Sequence, residues 1–526
     1  TADRQPSNSS AAAGGSADDA GGDDAPGYMW GMNIVTGKTR AEEEEEAAAA
    51  AAAQAEQSGG AAKSDEERKR PQGKLVELRY GSYAGLQLGA AEVRRIKAEE
   101  CRALLARRKL SLVLDLDHTL LNSAMYSELN QEQGEKLEAW HDKVRGIGIG
   151  GEKEAGASAE EGAGAASGEA SGAAGSSSSG AAAGASGDGD GDGDGVDGED
   201  GKPKPMLHHL RHIFMWTKLR PYVHEFLKAA SERYELYVYT MGAKAYAKEM
   251  VNLLDPTGSL GLSGNSDRVI GKEDSTESHT KDLDVILGSE RTTLIVDDSP
   301  AVWPRFKAQL LVPRRYHFFP SSSSKDGSLP EGFQPPLITE DDEPAEDGQL
   351  HAILTALISI HTHYFAGLDG AAASASLDAS QPPHVSDSVR AIRRQVLKGK
   401  TLVFSHVIPL DQQKTPEKSA EYRLATELGA TMTNTLGSKV THVVAGSDGT
   451  DKVRWARSHK VHAVSIDWLA SCSYLWRVVD EAGKPIEKVA SGKGPAALPD
   501  QTGWMAPPDV EREISSNSSS GEEKKE

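Results

Sequence analysis

Short apolar runs that end abruptly in polar side chains recur through the first half of the chain. "LSLVLDLD" ends on Asp115 and Asp117, "YELYVYTMG" reaches Thr240, and "RTTLIVDDSP" ends on Asp297 and Asp298. Runs this short and this rich in Leu, Val, Ile and Tyr predict strands buried on both faces. Between them, "PYVHEFLKAASERY" and "AKAYAKEMVNLLDP" space their apolar residues as amphipathic helices do. Strands alternating with helices predict a parallel sheet covered on both sides, and such sheets bind ligands at the carboxyl ends of their strands. The polar residues fall at that end. A second α/β pattern follows in "LKGKTLVFSHVIP", "AEYRLATELGATMTN", "VTHVVAG" and "DKVRWARSHKVHAVSIDWLASC". There Gly429 stands where a helix gives way to a strand, and Trp468, opening the last helix, is expected in the core.

Composition divides the rest. Residues 1–85 are Ala, Glu, Gly and Ser in the main, and 146–202 are an almost pure Gly/Ala/Ser/Asp run. Neither can bury enough apolar area to offset the entropy of ordering, so both are expected to be disordered. The predicted organisation is a disordered 1–85, a folded 86–320 with 146–202 as an insertion, and a linker 321–390 with a helix near 349–366. A second folded unit at 391–487 and a disordered tail at 488–526 complete it.

The chain has 526 residues, 58 Lys plus Arg against 79 Asp plus Glu, and a net charge of -21. That balance argues against direct binding to nucleic acid. Two cysteines, Cys101 and Cys472, far apart in sequence, point to a reduced intracellular setting. No apolar run has the length of a membrane span; "LHAILTALISIHTHYF", interrupted by histidines, reads as an amphipathic helix. The basic run "RKRPQGK" (Arg68 to Lys74) is a candidate nuclear address, weighed against an ordinary solvated run in a flexible tail.

The residues at the strand ends carry a specific chemistry. A carboxylate such as Asp115 can attack phosphorus and form an aspartyl phosphate. A second carboxyl, Asp117, can protonate the leaving oxygen and then deprotonate water. Two acids this close repel, so a cation is required, and hard oxygen donors point to Mg²⁺. Asp297 and Asp298 would complete its shell, Thr240 would offer a hydroxyl to a phosphate oxygen, and Lys281 in "SHTKDLDVIL" a positive charge. Taken singly, each has an ordinary explanation. A lone Asp-x-Asp is common, Thr240 could cap a helix, Asp298-Ser299-Pro300 could be a turn, and Lys281 a surface lysine. Their ordered combination is what carries the functional reading.

This set resembles the haloacid dehalogenase superfamily of phosphotransferases. "DLDHTLLN" is similar to its nucleophile loop, "VYTMG" to its second motif, "TKDL" to its lysine motif and "LIVDDS" to its metal motif. Asp117 separates the chain from the superfamily's dehalogenases and from its ion pumps, whose loop reads Asp-Lys-Thr. From Leu104 to Pro320, "MWTKLRPYVHEFLKAASERYELYVYTMGAKAYAKEMVNLLDPTG" and "LIVDDSPAVWPRFKAQLLVPRRYHFFP" are similar to RNA polymerase II C-terminal-domain phosphatases, most of all the plant-type, BRCT-bearing members. The resemblance implies a Rossmann-like parallel sheet, Asp115 as nucleophile, Asp117 as acid/base assisted by Thr119, and Thr240 and Lys281 on the phosphate. It implies Mg²⁺ on the Asp115 side chain, the Asp117 carbonyl and Asp298, supported by Asp297. The resemblance makes His118 a variable position at the mouth of the site. Relatives often carry a second arginine after "RVI"; here Lys272 stands in its place and cannot form a bidentate fork, leaving Arg268 as a weaker phosphate candidate.

The second unit resembles a BRCT domain, whose phosphopeptide-binding members use a Ser or Thr after the first strand and a Lys opening the second helix. Ser405 and Lys452 match those positions, beside the alternative of a capped strand end and a surface lysine. Two motifs are set aside. "DGDGDGDGVDGE" (Asp188 to Glu199) fits a calcium-loop pattern without the flanking helices. "LHHLRHIF" would bring His208 and His212 to one helix face beside His209, but without a third zinc ligand.

These readings converge on a nuclear, Mg²⁺-dependent protein-serine/threonine phosphatase acting on the phosphorylated C-terminal domain of RNA polymerase II. Its cleft should be open, because the first insertion is low in complexity and the stretch before Lys281 is too short for an added domain. The BRCT domain would engage transcription-complex proteins. The rivals are a phosphoprotein-binding scaffold with a silent phosphatase fold and a nucleic-acid 3′-phosphatase.

Overall fold

The computed structural model describes residues 27–39, 41–43, 45–46, 49, 75–78, 86–144, 206–286, 288–324, 326, 329, 333–373, 382–408, 412–482 and 486. The acidic loop Asp188 to Glu199, the basic run Arg68 to Lys74 and the tail from 488 lie outside them. Strands β1 (Tyr28–Met29), β2 (Met32–Asn33), β3 (Leu75–Leu78) and β4 (Leu86–Gly89) form a small antiparallel sheet, the first three of them within 1–85, the stretch predicted to be disordered. Helix α1 (Ala90–Ala106) leads from it to the main sheet.

That sheet is built around β5 (Leu110–Leu114), every residue of which is buried. After β5 come β6 (Leu121–Met125), α2 (Gln131–Val144), β7 (Leu207–Leu210), β8 (Met215–Leu219), α3 (Val223–Ser231), β9 (Tyr234–Tyr239), α4 (Lys244–Leu254), β10 (Val269–Ile270), β11 (Thr293–Val296) and β12 (Leu310–Leu311). The main sheet has the order β10-β9-β5-β11-β12 and is parallel throughout. Its buried strands and the apolar faces of α3 and α4 share one core. The α/β reading therefore holds, and the three polar strand ends lie side by side on β9, β5 and β11.

The low-complexity run 146–202 lies outside the described residues. The segments that flank it, β6 on one side and the pair β7–β8 on the other, make a three-stranded antiparallel sheet in the order β6-β8-β7, next to the loop that follows β5. His208 and His209 lie on strand β7, and His212 in the turn after it, so the helical pairing of His208 with His212 does not form. His209 instead stacks on Trp216 with ring centres 3.8 Å apart, and His212 faces Glu249 at 3.3 Å.

The stretch read as linker, 321–390, is folded over most of its described length. Leu337 is buried with Phe318 and Phe319. Asp342 receives Lys218 Nζ at 2.7 Å, and Glu343 receives both sides of the Arg220 guanidinium at 2.8 and 2.6 Å. Helix α5 (Gln349–Ala373) extends the predicted 349–366 helix and packs its apolar residues against α3 and against α6 (Val385–Arg393). No helix among the described residues is long and apolar enough to cross a membrane.

The C-terminal unit has β13 (Thr401–Ser405), α7 (Ala420–Glu427), β14 (Thr431–Met432), β15 (His442–Ala445), α8 (Asp451–Ser458), β16 (His462–Ser465) and α9 (Ile466–Leu475). Its sheet, β14-β13-β15-β16, is parallel. Gly429 takes φ +92°, and a Cβ there would sit 1.9 Å from the Arg394 carbonyl oxygen, so only glycine fits. Trp468 is fully buried, as expected. Gln349 donates to the Tyr474 carbonyl at 2.7 Å and Arg393 to Ser473 Oγ at 2.9 Å, tying α5 and α6 to α9.

Candidate active site

Each functional side chain is placed by the strand it leaves. The Asp115 N–H donates to the Val296 carbonyl at 3.0 Å, extending the β5–β11 ladder one step past the strand, so Asp115 sits at the sheet edge beside Asp297. Lys281 is anchored by its own N–H to the Val302 carbonyl at 2.7 Å. Its buried ammonium donates to Asp115 Oδ1 and Asp297 Oδ2, each at 2.6 Å, and to the Tyr239 carbonyl at 2.9 Å. Three donors and three acceptors are matched, which fixes the lysine between the two carboxylates.

Asp297 uses three of its acceptor sites: besides Lys281, Trp303 Nε1 donates to Oδ2 at 2.9 Å and the Ser299 N–H to Oδ1 at 2.8 Å. Asp115 gives only Oδ1 to Lys281. Asp298 exchanges bonds with Thr119, whose Oγ1 accepts the Asp298 N–H at 3.1 Å and lies 3.2 Å from Oδ1. Asp298 Oδ2 is buried without a hydrogen bond; Arg315 Nε lies 3.1 Å away as an ion pair outside hydrogen-bonding geometry.

Asp117 lives in a different environment. Tyr246 donates its hydroxyl proton to Asp117 Oδ1 at 2.7 Å, and Thr240 Oγ1 stands 3.5 Å from Oδ2. Thr240 Oγ1 also accepts the Gly242 N–H at 3.0 Å. The intervening His118 adopts φ +64°. Its N–H bonds to the Leu121 carbonyl and its own carbonyl accepts from Tyr316, each at 2.8 Å, so this residue turns the loop.

Burial is the first cause of the proton affinities here. It raises Asp115 well above the carboxylate range; Lys281 opposes the rise, and Asp297, Asp298 and Asp117 add to it. Burial likewise lifts Asp117, with the Tyr246 hydrogen bond acting downward. Asp298 is pushed up to about 7 by burial and by Asp297, against Arg315. For Lys281 burial acts downward, but Asp115 and Asp297 outweigh it and hold the lysine charged.

Three buried carboxylates against the Lys281 ammonium and the partly exposed Arg315 guanidinium leave a deficit of positive charge, and the buried Asp298 Oδ2 has no hydrogen bond. Asp115, Asp297 and Asp298 each offer an oxygen within 4.8 Å of the others. All-oxygen donors around such a deficit fit a hard divalent cation. Asp297 is the most heavily bonded of the three, with Lys281, Trp303 and Ser299 on it, so Asp115 and Asp298 are the better placed to ligate such an ion.

The structure thus brings Asp115, Asp117, Thr119, Thr240, Lys281, Asp297 and Asp298 to one edge. It does not bring Arg268, which pairs with Glu235 near the opposite end of β9. Lys272 is exposed, and its N–H bonds to the Gly242 carbonyl at 2.9 Å. Sequence reading missed Tyr246, Trp303, Arg315 and Arg220. Tyr246 sits at helical spacing in "AKAYAKEM", where an aromatic reads as core. In the C-terminal unit, Ser405 is buried against Thr450 Oγ1 at 2.8 Å, and Lys452 Nζ donates to the Phe404 carbonyl at 2.7 Å, so the two lie together at the end of β13.

Comparison with known proteins follows the same division. The model of the NLI interacting factor-like phosphatase family matches residues 202–339, and that of the BRCA1 C Terminus (BRCT) domain matches 393–473. The chain is 32% identical over 404 residues to the Arabidopsis thaliana RNA polymerase II C-terminal domain phosphatase-like 4, covering 77% of this chain and 76% of that one. It is 33% identical over 418 residues to phosphatase-like 3 of the same plant, spanning 77% of this chain but only 28% of the relative. The solved structure of Fcp1, an RNA polymerase II CTD phosphatase, aligns at 22% identity with a TM-score of 0.48, covering 75% of this chain and all of that one.

Proposed function

This chain belongs to the RNA polymerase II C-terminal domain phosphatase family, and from that premise we propose that it removes phosphate from serines of the polymerase's phosphorylated C-terminal repeats. The observation that carries the reading is the split between two acids two residues apart. Asp115 is pinned beside a lysine and two further carboxylates, while Asp117 is held by the hydroxyl of Tyr246 in a setting that favours its protonated form.

Each acid then has one task. A carboxylate oxygen of Asp115 attacks phosphorus and the serine oxygen–phosphorus bond breaks, with Asp117 delivering its proton to the departing oxygen. Asp117, now a carboxylate, takes a proton from water as that water attacks the aspartyl phosphate. The bond from Asp115 to phosphorus breaks and inorganic phosphate leaves. Lys281 keeps its charge beside the transferring group, and Thr240 supplies a hydroxyl to a phosphate oxygen. Mg²⁺ held by the Asp115 side chain, the Asp117 carbonyl and Asp298 would supply positive charge against the non-bridging phosphate oxygens. Thr119 fixes Asp298 and the loop between the two acids. We place the protein in the nucleus and assign the BRCT unit to contacts with transcription-complex phosphoproteins, with Ser405 and Lys452 as the phosphate-facing pair.

The test is turnover of singly phosphorylated repeat peptides by the full chain with Mg²⁺ present. Asp115→Asn, which keeps the side-chain shape, should lower turnover at least ~1000-fold while leaving the fold intact. Faster hydrolysis of a free nucleotide or sugar phosphate than of any repeat peptide would sink the assignment.

A further inference from the structure

His442 and His462 face each other across β15 and β16, where the parallel register pairs them directly. Parallel, in-register neighbours project from the same sheet face, and the two imidazoles stack with centres 4.9 Å apart. Glu481, in the segment beyond α9, brings its carboxylate to His442 Nε2 at 3.2 Å. One ligand atom from each of the three lies within 4.8 Å of the others.

The hydrogen atoms around His442 can be counted. Thr441 Oγ1 donates its single proton to the Thr401 carbonyl at 3.0 Å and accepts the Thr401 N–H at 2.9 Å. With that proton on the Thr401 carbonyl, its remaining lone pair faces His442 Nδ1 at 2.8 Å, which assigns Nδ1 as the donor. A neutral His442 ring then presents a bare lone pair at Nε2 to a carboxylate oxygen. Two acceptors at 3.2 Å need a positive centre between them, either a proton or a metal ion. The fixed Nδ1–H is how metal-ligating histidines are usually oriented. Ligand bonds of ~2.1 Å at a tetrahedral angle separate two donor atoms by roughly 3.4 Å, close to the observed gap. A proton on Nε2 accounts for the His442–Glu481 contact alone, whereas a metal ion would also take His462, whose ring stacks on His442 and whose nitrogen lies within reach, as its third ligand.

We propose that His442, His462 and Glu481 form a binding site for a zinc-type divalent ion that fastens the C-terminal segment of the BRCT unit to its sheet. Two imidazoles and one carboxylate are the donor set of a borderline transition metal and a poor one for Mg²⁺. The site is therefore chemically separate from the all-oxygen cluster at Asp115.

The experiment uses the full chain carrying Asp298→Asn, which weakens the acidic cluster, stripped with chelator and titrated with Zn²⁺. One equivalent should bind with two imidazole nitrogens in its X-ray absorption signature. His462→Ala, at an exposed position that does not threaten folding, and Glu481→Gln should each weaken binding by at least ~10-fold. An oxygen-only shell, or Zn²⁺ affinity unmoved by both substitutions, would overturn the proposal and leave a histidinium–glutamate pair as the explanation of the contact.

Discussion

Tyr246→Phe is the sharpest probe of the acid/base assignment, because it deletes one oxygen atom and nothing that packs. The hydroxyl donates to Asp117 Oδ1 at 2.7 Å and lies 3.0 Å from Ser123 Oγ, which is itself 2.9 Å from Thr217 Oγ1. A hydrogen bond to a charged group contributes about 1.5–3 kcal/mol, or roughly 10- to 150-fold in rate if it acts only in the transition state. The lower end applies here. Asp117 is partly exposed, so water can replace the lost donor, and Thr240 remains on the other oxygen. The expected result is a fall in kcat/KM of about 10-fold with little change in unfolding free energy. The direction in pH also follows. The Tyr246 bond lowers the Asp117 pKa, so its removal raises that pKa. Asp117 must be protonated for the first step, so the alkaline limb of kcat/KM should move to higher pH in the variant. A folded Tyr246→Phe enzyme with kcat/KM within two-fold of the parent and an unmoved limb would refute the role given to Asp117.

Three further outcomes are expected. Arg220→Ala should cost about 3–5 kcal/mol in denaturant unfolding, because it strands the Glu343 carboxylate and leaves the Thr119 and Arg314 carbonyls without their donor; Arg220→Lys should restore little, lacking the planar fork. Gly429→Ala should destabilise the chain by at least ~2 kcal/mol in the same assay, combining left-handed strain with the overlap at Arg394. His317 is buried and its pKa is pushed down to about 4 from 6.5. The unfolded chain therefore binds the extra proton between those values, and stability present above pH 6.5 is lost as pH falls toward 4, by on the order of 3 kcal/mol. His317→Gln should flatten that slope, and a slope unchanged from the parent would show that another group sets it.

Much of the site was legible because each strand delivers its polar residue at the same place. In β5, β9 and β11 the apolar run is fully buried, so the first polar residue after it marks the sheet edge, and a parallel sheet aligns those edges. What was not legible came from long-range pairing. Tyr246 stands one helical turn before buried Met250, and nothing local separates a core aromatic from one whose hydroxyl reaches Asp117. The run "ITEDDEPAEDGQ" has the composition of a solvated linker. Asp342 and Glu343 escape that rule because their partners, Lys218 and Arg220, are buried more than a hundred residues earlier in the chain.

That last pairing gives the apparent linker a place in the chemistry. The Arg220 guanidinium is fully buried and donates to the Thr119 carbonyl at 3.0 Å and the Arg314 carbonyl at 2.8 Å. Thr119 in turn clamps Asp298, and the residue after Arg314 is the arginine that faces Asp298 Oδ2. Arg220 therefore joins the two loops that set the position of Asp298, and Glu343 neutralises the charge that makes this join tolerable inside the fold. Burying an unpaired guanidinium costs several kcal/mol, so without Glu343 the arginine would turn to solvent and release both loops. The acidic segment after the phosphatase core acts as its counter-ion, and the boundary drawn from composition cuts through the support of the site.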